Sequence, residues 1–132
     1  MLALQLLYQI DLLGSGISER EREEFLQRAT RDEVARRFAR ELVHGVLRHQ
    51  AEIDARLAAL AQNWQLGRMA VVDRNVLRIG AYELLYTDAP PKVVINEAVE
   101  LAKRFSGKNS GAFVNGILDS LLKSVLARRE AT

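Results

Sequence analysis

Both prolines of this 132-residue chain stand side by side, at 90 and 91, and apolar residues recur at helical spacing before and after them. Proline lacks the N–H that a helix interior needs, yet it suits the first turn, where those groups have no intrahelical acceptor. A chain punctuated this way reads as a succession of helices. After the prolines Val94, Ala98, Leu101, Ala102 and Phe105 form one apolar face, with Asn96, Glu97, Glu100, Lys103 and Arg104 largely on the other side. Ser106-Gly107-Lys108-Asn109 breaks the pattern, and Gly107 is placed to take the left-handed conformation that ends helices. A loop holding Lys108, Asn109 and Ser110 is expected to lead into a second helix that turns Val114, Ile117, Leu118, Leu121, Leu122 and Val125 inward. Lys92 opens the first helix, and Phe113 and Asn115 lie just past the loop. Basic groups, amides and one ring at a helix start suit an RNA strand. The same spacing equally describes an ordinary helical hairpin with a solvated charged face and Phe113 in its core.

Toward the N-terminus Leu2, Leu6, Ile10 and Leu13 repeat at steps of four and three with Leu7 beside them, which predicts a helix over 2–13 closed by Gly14-Ser15-Gly16. Tyr8 on that helix reads first as a half-buried tyrosine with its hydroxyl in water. Ser18-x-x-Glu21 and Thr30-x-x-Glu33 are capping-box patterns, each opening a helix. Phe25 and Leu26 are the apolar contacts of the first, while its charged run from Glu19 to Glu24 marks a solvated face. From the second, Val34, Phe38, Leu42 and Val46 are expected down one inward face, with Arg36, Arg37 and Arg40 as ion-paired surface residues flanked by Glu33 and Glu41. His44 and His49 have no carboxylate pattern around them that would make a metal site or a catalytic base. A further helix is expected from Ile53 to Ala61, with Ile53, Leu57 and Leu60 inward, and Asn63 to Arg68 reads as a short seam pinned by Trp64. Over 71–87 Val72, Val76, Ile79 and Tyr82 or Tyr86 point inward, Gly80 lets a neighbouring helix approach, and Asp73 suits the positive end of the helix dipole. Arg78 is expected on the exposed side.

A chain of 132 residues is most simply one domain, large enough for a core. The absence of cysteine removes disulfides, zinc–cysteine sites and thiol chemistry. No apolar run approaches the roughly 20 residues of a membrane span, so no membrane association and a cytoplasmic location are the default expectation. Net charge is +2 but unevenly placed: residues 1–66 carry 9 basic and 10 acidic groups, and residues 67–132 carry 10 and 7. The C-terminal half is therefore the better polyanion face. Nucleophile elbows, glycine-rich phosphate loops, catalytic carboxylate pairs and metal-ligand clusters do not occur, so an enzyme and a cofactor are not expected.

Pro90 to Phe105, allowing for Pro91, and Phe113-Val114-Asn115-Gly116-Ile117-Leu118-Asp119 resemble the C-terminal half of the NusB transcription antitermination factors. The segments Ala3 to Leu12 and Val72 to Leu84 are similar to the same family, so the likeness runs from about Ala3 to Leu122. It implies an all-α NusB-like fold of about seven helices in two packed halves, about 1–62 and about 68–128. It also implies a non-enzymatic role in transcription antitermination, binding boxA RNA of ribosomal RNA operons together with NusE, a small-subunit ribosomal protein. The wider partner is the RNA polymerase antitermination complex with other Nus factors. Carried over by position, the RNA-binding residues are Arg78, Lys92, Lys108, Asn109, Ser110, Phe113 and Asn115, and Tyr8 and Asp73 face NusE.

Family members usually begin with an arginine-rich segment before the first helix, whereas this chain starts at Met1-Leu2-Ala3. The expectation is weaker boxA binding with a shallower salt dependence than in a member with that arm. Two other readings stand beside the main one. One is the NusB-like RNA-binding domain of a ribosomal RNA cytosine methyltransferase, which the ending at Arg128-Arg129-Glu130 disfavours. The other is a protein-interaction module or homodimer with weakened RNA binding, which the missing arm supports best and which fits the resemblance, since some family members dimerise.

Overall fold

The computed structural model describes residues 1–14, 17–60 and 69–131. Among them six α-helices follow one another: α1 (Leu2–Leu13), α2 (Glu19–Ala29), α3 (Glu33–Leu60), α4 (Val71–Tyr86), α5 (Pro91–Phe105) and α6 (Lys108–Ala131). The all-helical expectation holds. The expected seam at Asn63–Arg68 with Trp64, the end of the helix at Ala61, and Ser15-Gly16 lie outside the described residues.

Six helices replace about seven because α3 does not break between Val46 and Ile53. Nothing there would stop a helix: no proline intervenes, and Gly45 is kept in place by what packs on it. A Cβ at Gly45 would lie 2.2 Å from the Tyr82 ring, so the tyrosine fills the space a side chain would take. His49 of the same helix stacks on Tyr86 at a centroid distance of 3.9 Å. At about 1.5 Å per residue α3 is roughly 40 Å long, and α2, α1, α4 and α6 all lean on it.

The start of α3 differs from its expected cap. Thr30 closes α2, its N–H donating to the Leu26 carbonyl, and Asp32 caps α3 by accepting from the N–H groups of Val34 and Ala35. Ser18 does cap α2, accepting from the Glu21 N–H at 3.1 Å, while its own hydroxyl donates to the Glu21 carboxylate. Arg36 meets Glu33, but Arg40 is forked by Glu23 of α2 rather than by its sequence neighbour Glu41.

The buried face of α3 consists of Ala39, Leu42, Val43, Val46, Ile53 and Leu57. Val34 and Phe38, expected inward, are 71% and 53% exposed. They lie on the apolar stripe, but α4 crosses α3 nearer its middle, so the first turns of α3 overhang the core. Phe105, at the last turn of α5, is likewise exposed, and the guanidinium of Arg104 sits 5.7 Å from its ring centroid.

Helix α4 is the spine, packed against α1, α3, α5 and α6. Val76, Leu77, Ile79, Ala81 and Leu84 fill its contacts. Gly80 does permit close approach, since a Cβ there would fall 2.7 Å from Leu118 Cδ1 of α6. Between α5 and α6 the chain turns through Gly107, whose φ of 121° favours glycine.

Candidate nucleic-acid and partner interface

Helix polarity decides which of the expected site residues share a region. Asp11 near the end of α1 bonds to Arg74 and Asn75 at the start of α4, and Asp73 beside them bonds to Ser110 at the start of α6. The end of α1 and the starts of α4 and α6 therefore meet at one end of the molecule. Lys108, Asn109 and Ser110, expected as a loop, form the first turn of α6 there. Helix begins as soon as Gly107 has turned the chain.

Lys108 and Asn109 are exposed, Ser110 and Phe113 are half-buried, and Asn115 is exposed. Phe113 lies four residues beyond Asn109 and Asn115 seven beyond Lys108, so each pair stacks on one side of α6. The ring of Phe113 packs in part on the core and is half-buried, between the two readings left open. Lys103 and Arg104, in the last turn of α5 where cations suit the helix dipole, stand exposed next to this turn. The stem of Lys103 lies over Gly111, where a Cβ would come 2.6 Å from its Cγ. Their nearness to Lys108 was hidden in the sequence, because it arises from the α5–α6 turn.

Lys92 is exposed but elsewhere, at the start of α5. Thirteen helical steps to Phe105 put it about 20 Å from the Lys108 turn. A single strand would have to run along α5 to touch both.

Arg78 does not lie on the exposed side. It is 7% exposed, and its guanidinium holds Asp54 of α3 with Nε and Nη2 at 2.8 and 2.9 Å while Nη1 reaches Asp11 at 3.0 Å and Asn75 at 3.3 Å. A guanidinium committed to two part-buried carboxylates holds helices together rather than reaching out to phosphate. Burial pushes the Asp11 carboxyl up, but hydrogen bonds from Arg74 and Asn75 and the charges of Arg78 and Arg74 outweigh it and hold it below the usual range.

Of the two partner-side residues, Tyr8 is 37% exposed, and Leu12, four residues on, is 56% exposed. Together they make an apolar strip on α1 that the helical period alone did not mark, since Leu12 falls off the inward stripe. Asp73 is 7% exposed and turned inward to Ser110.

Among the described residues no group of three or more His, Cys, Asp or Glu is placed to hold a metal ion. None of the described helices is long and apolar enough to cross a membrane. The arrangement offers cations, amides and a half-buried ring on one helix start, with an exposed apolar strip on α1.

A family model described as the NusB family matches residues 1–123. The chain is 47% identical over 119 residues to a transcription antitermination protein NusB of Anaeromyxobacter dehalogenans, covering 90% of this chain and 84% of that protein. It is 43% identical to the NusB of Macrococcus caseolyticus, with 92% of each chain covered. Among solved structures it is similar to T. maritima NusB, at TM-score 0.83 and 40% identity over 92% of this chain and 86% of that one. It is also similar to a chain in the crystal structure of antitermination factors NusB and NusE in complex with dsRNA, at TM-score 0.81 and 29% identity over 93% and 92%. Likeness of this extent in sequence and in fold settles the relationship: the chain belongs to the NusB family.

Proposed function

We propose that this chain is a transcription antitermination factor that binds boxA RNA of ribosomal RNA operons together with NusE. It works within the RNA polymerase antitermination complex, in the cytoplasm, by binding rather than by catalysis. The observation that carries this reading is membership of the NusB family over residues 1–123. The RNA face comprises Lys108, Asn109, Phe113 and Asn115 on α6, Lys103 and Arg104 beside them, and Lys92 at the far end of α5. In support, all but the half-buried Phe113 are exposed, and the set combines phosphate-binding cations with an aromatic ring on which a base can stack. The NusE side comprises Tyr8 with Leu12. The two halves, about 1–62 and 68–128, thus divide the work, the first meeting protein and the second RNA.

The test is fluorescence anisotropy with a labelled boxA oligomer, with and without NusE, on wild type, Phe113→Ala and Lys92→Ala. Binding that NusE strengthens and each substitution weakens, with helicity unchanged, is the expected result. RNA ignored even in the presence of NusE would overturn the reading.

A further inference from the structure

Asp73 is a buried acid whose second oxygen has no task inside the described fold. Its Oδ2 accepts a hydrogen bond from the Ser110 hydroxyl at 3.1 Å, joining the first turn of α4 to the first turn of α6 across 37 residues. Its Oδ1 is buried without a hydrogen-bond partner among the described residues. An unpaired carboxylate oxygen in the interior is costly, and such groups persist where the rest of the structure holds them in place. Here the surroundings are the positive ends of two helices, α4 and α6, which favour an anion.

We propose that Asp73 is a positioning residue for RNA: it clamps the first turn of α6 through Ser110 and so fixes the directions of Lys108, Asn109 and, one turn on, Phe113. The inference rests on the RNA reading above. It stands beside the partner-facing role expected of Asp73, whose side chain is 7% exposed. The first turn of α6 needs such a clamp. It follows the positive-φ Gly107, and the first N–H groups of any helix lack intrahelical acceptors, so this turn is the part of α6 most prone to fray. A frayed turn would spread Lys108 and Asn109 over many directions, and RNA binding would then bear the cost of ordering them.

The acid itself repels RNA, so geometry and charge pull in opposite directions and can be separated. Asp73→Ala and Ser110→Ala both cut the clamp, whereas Asp73→Asn keeps an acceptor for the Ser110 hydroxyl and removes the charge. The experiment measures amide hydrogen exchange at residues 111–114 and anisotropy with boxA RNA in the absence of NusE, for these variants and the Asp73→Ala/Ser110→Ala double variant. Exchange should quicken about tenfold in both alanine variants, and RNA should bind about three- to tenfold more weakly. The double variant should be no worse than either single one, and Asp73→Asn should exchange like wild type and bind RNA at least as well. Unchanged exchange in the alanine variants overturns the clamp. Quickened exchange with RNA affinity intact overturns its role in RNA binding, as does an affinity loss that appears only when NusE is added. If wild type ignores RNA with and without NusE, the functional reading and this inference fall together, while exchange still reports whether the turn is held.

Discussion

The guanidinium of Arg74 grips the carboxylate of Asp11 with both arms, Nε to Oδ2 at 2.6 Å and Nη2 to Oδ1 at 2.5 Å, across 63 residues of chain. Arg78 shares the same carboxylate and carries the link on to Asp54, so α1, α3 and α4 are joined by one largely buried set of charges. Such a set contributes stability only while every member is paired.

Asp11→Ala is accordingly expected to destabilise the fold by about 3 kcal/mol, because two largely buried guanidiniums lose a partner. Urea unfolding reads this directly, and a loss under about 1 kcal/mol would show the charges to be better hydrated than their burial implies. The pH dependence has a definite sign. The folded Asp11 carboxyl lies below its ordinary value near 3.8, so its contribution is complete above that value and is lost as pH falls below it toward the folded pKa. Asp11→Asn should flatten that acid limb.

Glu83 behaves in the opposite sense. Burial first, and then the nearby Glu97, hold its carboxyl above the usual 4.5, so the fold disfavours its charged form. The strain is present at neutral pH and is relieved as pH falls through the raised folded value toward 4.5. Glu83→Gln should therefore raise the urea midpoint at pH 7 and leave it unchanged at pH 4. A midpoint that drops at pH 7 would contradict this.

Gly45→Ala should cost about 1–3 kcal/mol, since the added methyl meets the Tyr82 ring at 2.2 Å and the ring is itself held in the His49–Tyr86 stack. Gly80→Ala should cost less. Its clash is with the tip of Leu118, which can rotate, and alanine recovers up to about 1 kcal/mol of helix propensity. Thermal melts of the two variants rank them, and a reversed order would mean that the Tyr82 ring moves aside freely.

On the proposed RNA face, Phe113→Ala should weaken boxA binding by about 1–3 kcal/mol at any salt concentration. Lys108→Ala should instead lower the slope of log affinity against log salt by about 0.7. Since Lys92 is about 20 Å from the α6 turn, the effects of Lys92→Ala and Phe113→Ala should add. Strong coupling between them would mean that the strand does not run along α5.

Tyr8→Ala is expected to leave stability within about 0.5 kcal/mol, the side chain being 37% exposed, while weakening NusE binding. Calorimetric titration with NusE checks both halves of that statement when paired with a melt. Unaltered NusE affinity would remove α1 from the partner surface.

How much of this could be read from the chain follows from what helical periodicity encodes. It marks which side of a helix is apolar, so the core residues Leu6, Leu42, Val76, Val94 and Leu118 were legible, as was the approach over Gly80. It does not say where along a helix a neighbour crosses, and Val34 and Phe38 therefore looked like core while overhanging it. It is equally silent on polar residues: an arginine at position 78 has the same spacing whether it faces water or two aspartates. The partners that bury it come from α1 and α3, 67 and 24 residues away. The candidate site divides the same way. Lys108, Asn109, Phe113 and Tyr8 could be singled out locally as candidates, whereas the proximity of Lys103 to Gly111 and the inward turn of Asp73 depend on how α5, α6 and α4 meet.

The bond between Asp11 and Arg74 also sets an order of events during synthesis. Ala3, Leu4, Leu6 and Leu7 of α1 need α4 as well as α3 to cover them, and Asp11 has no partner until residue 74 exists. At about 5–20 residues per second a ribosome takes roughly 3–13 s to add the 63 residues between them. For those seconds α1 lacks the α4 face that completes its seat, which is when a nascent chain of this protein is most open to chaperones and to misassociation.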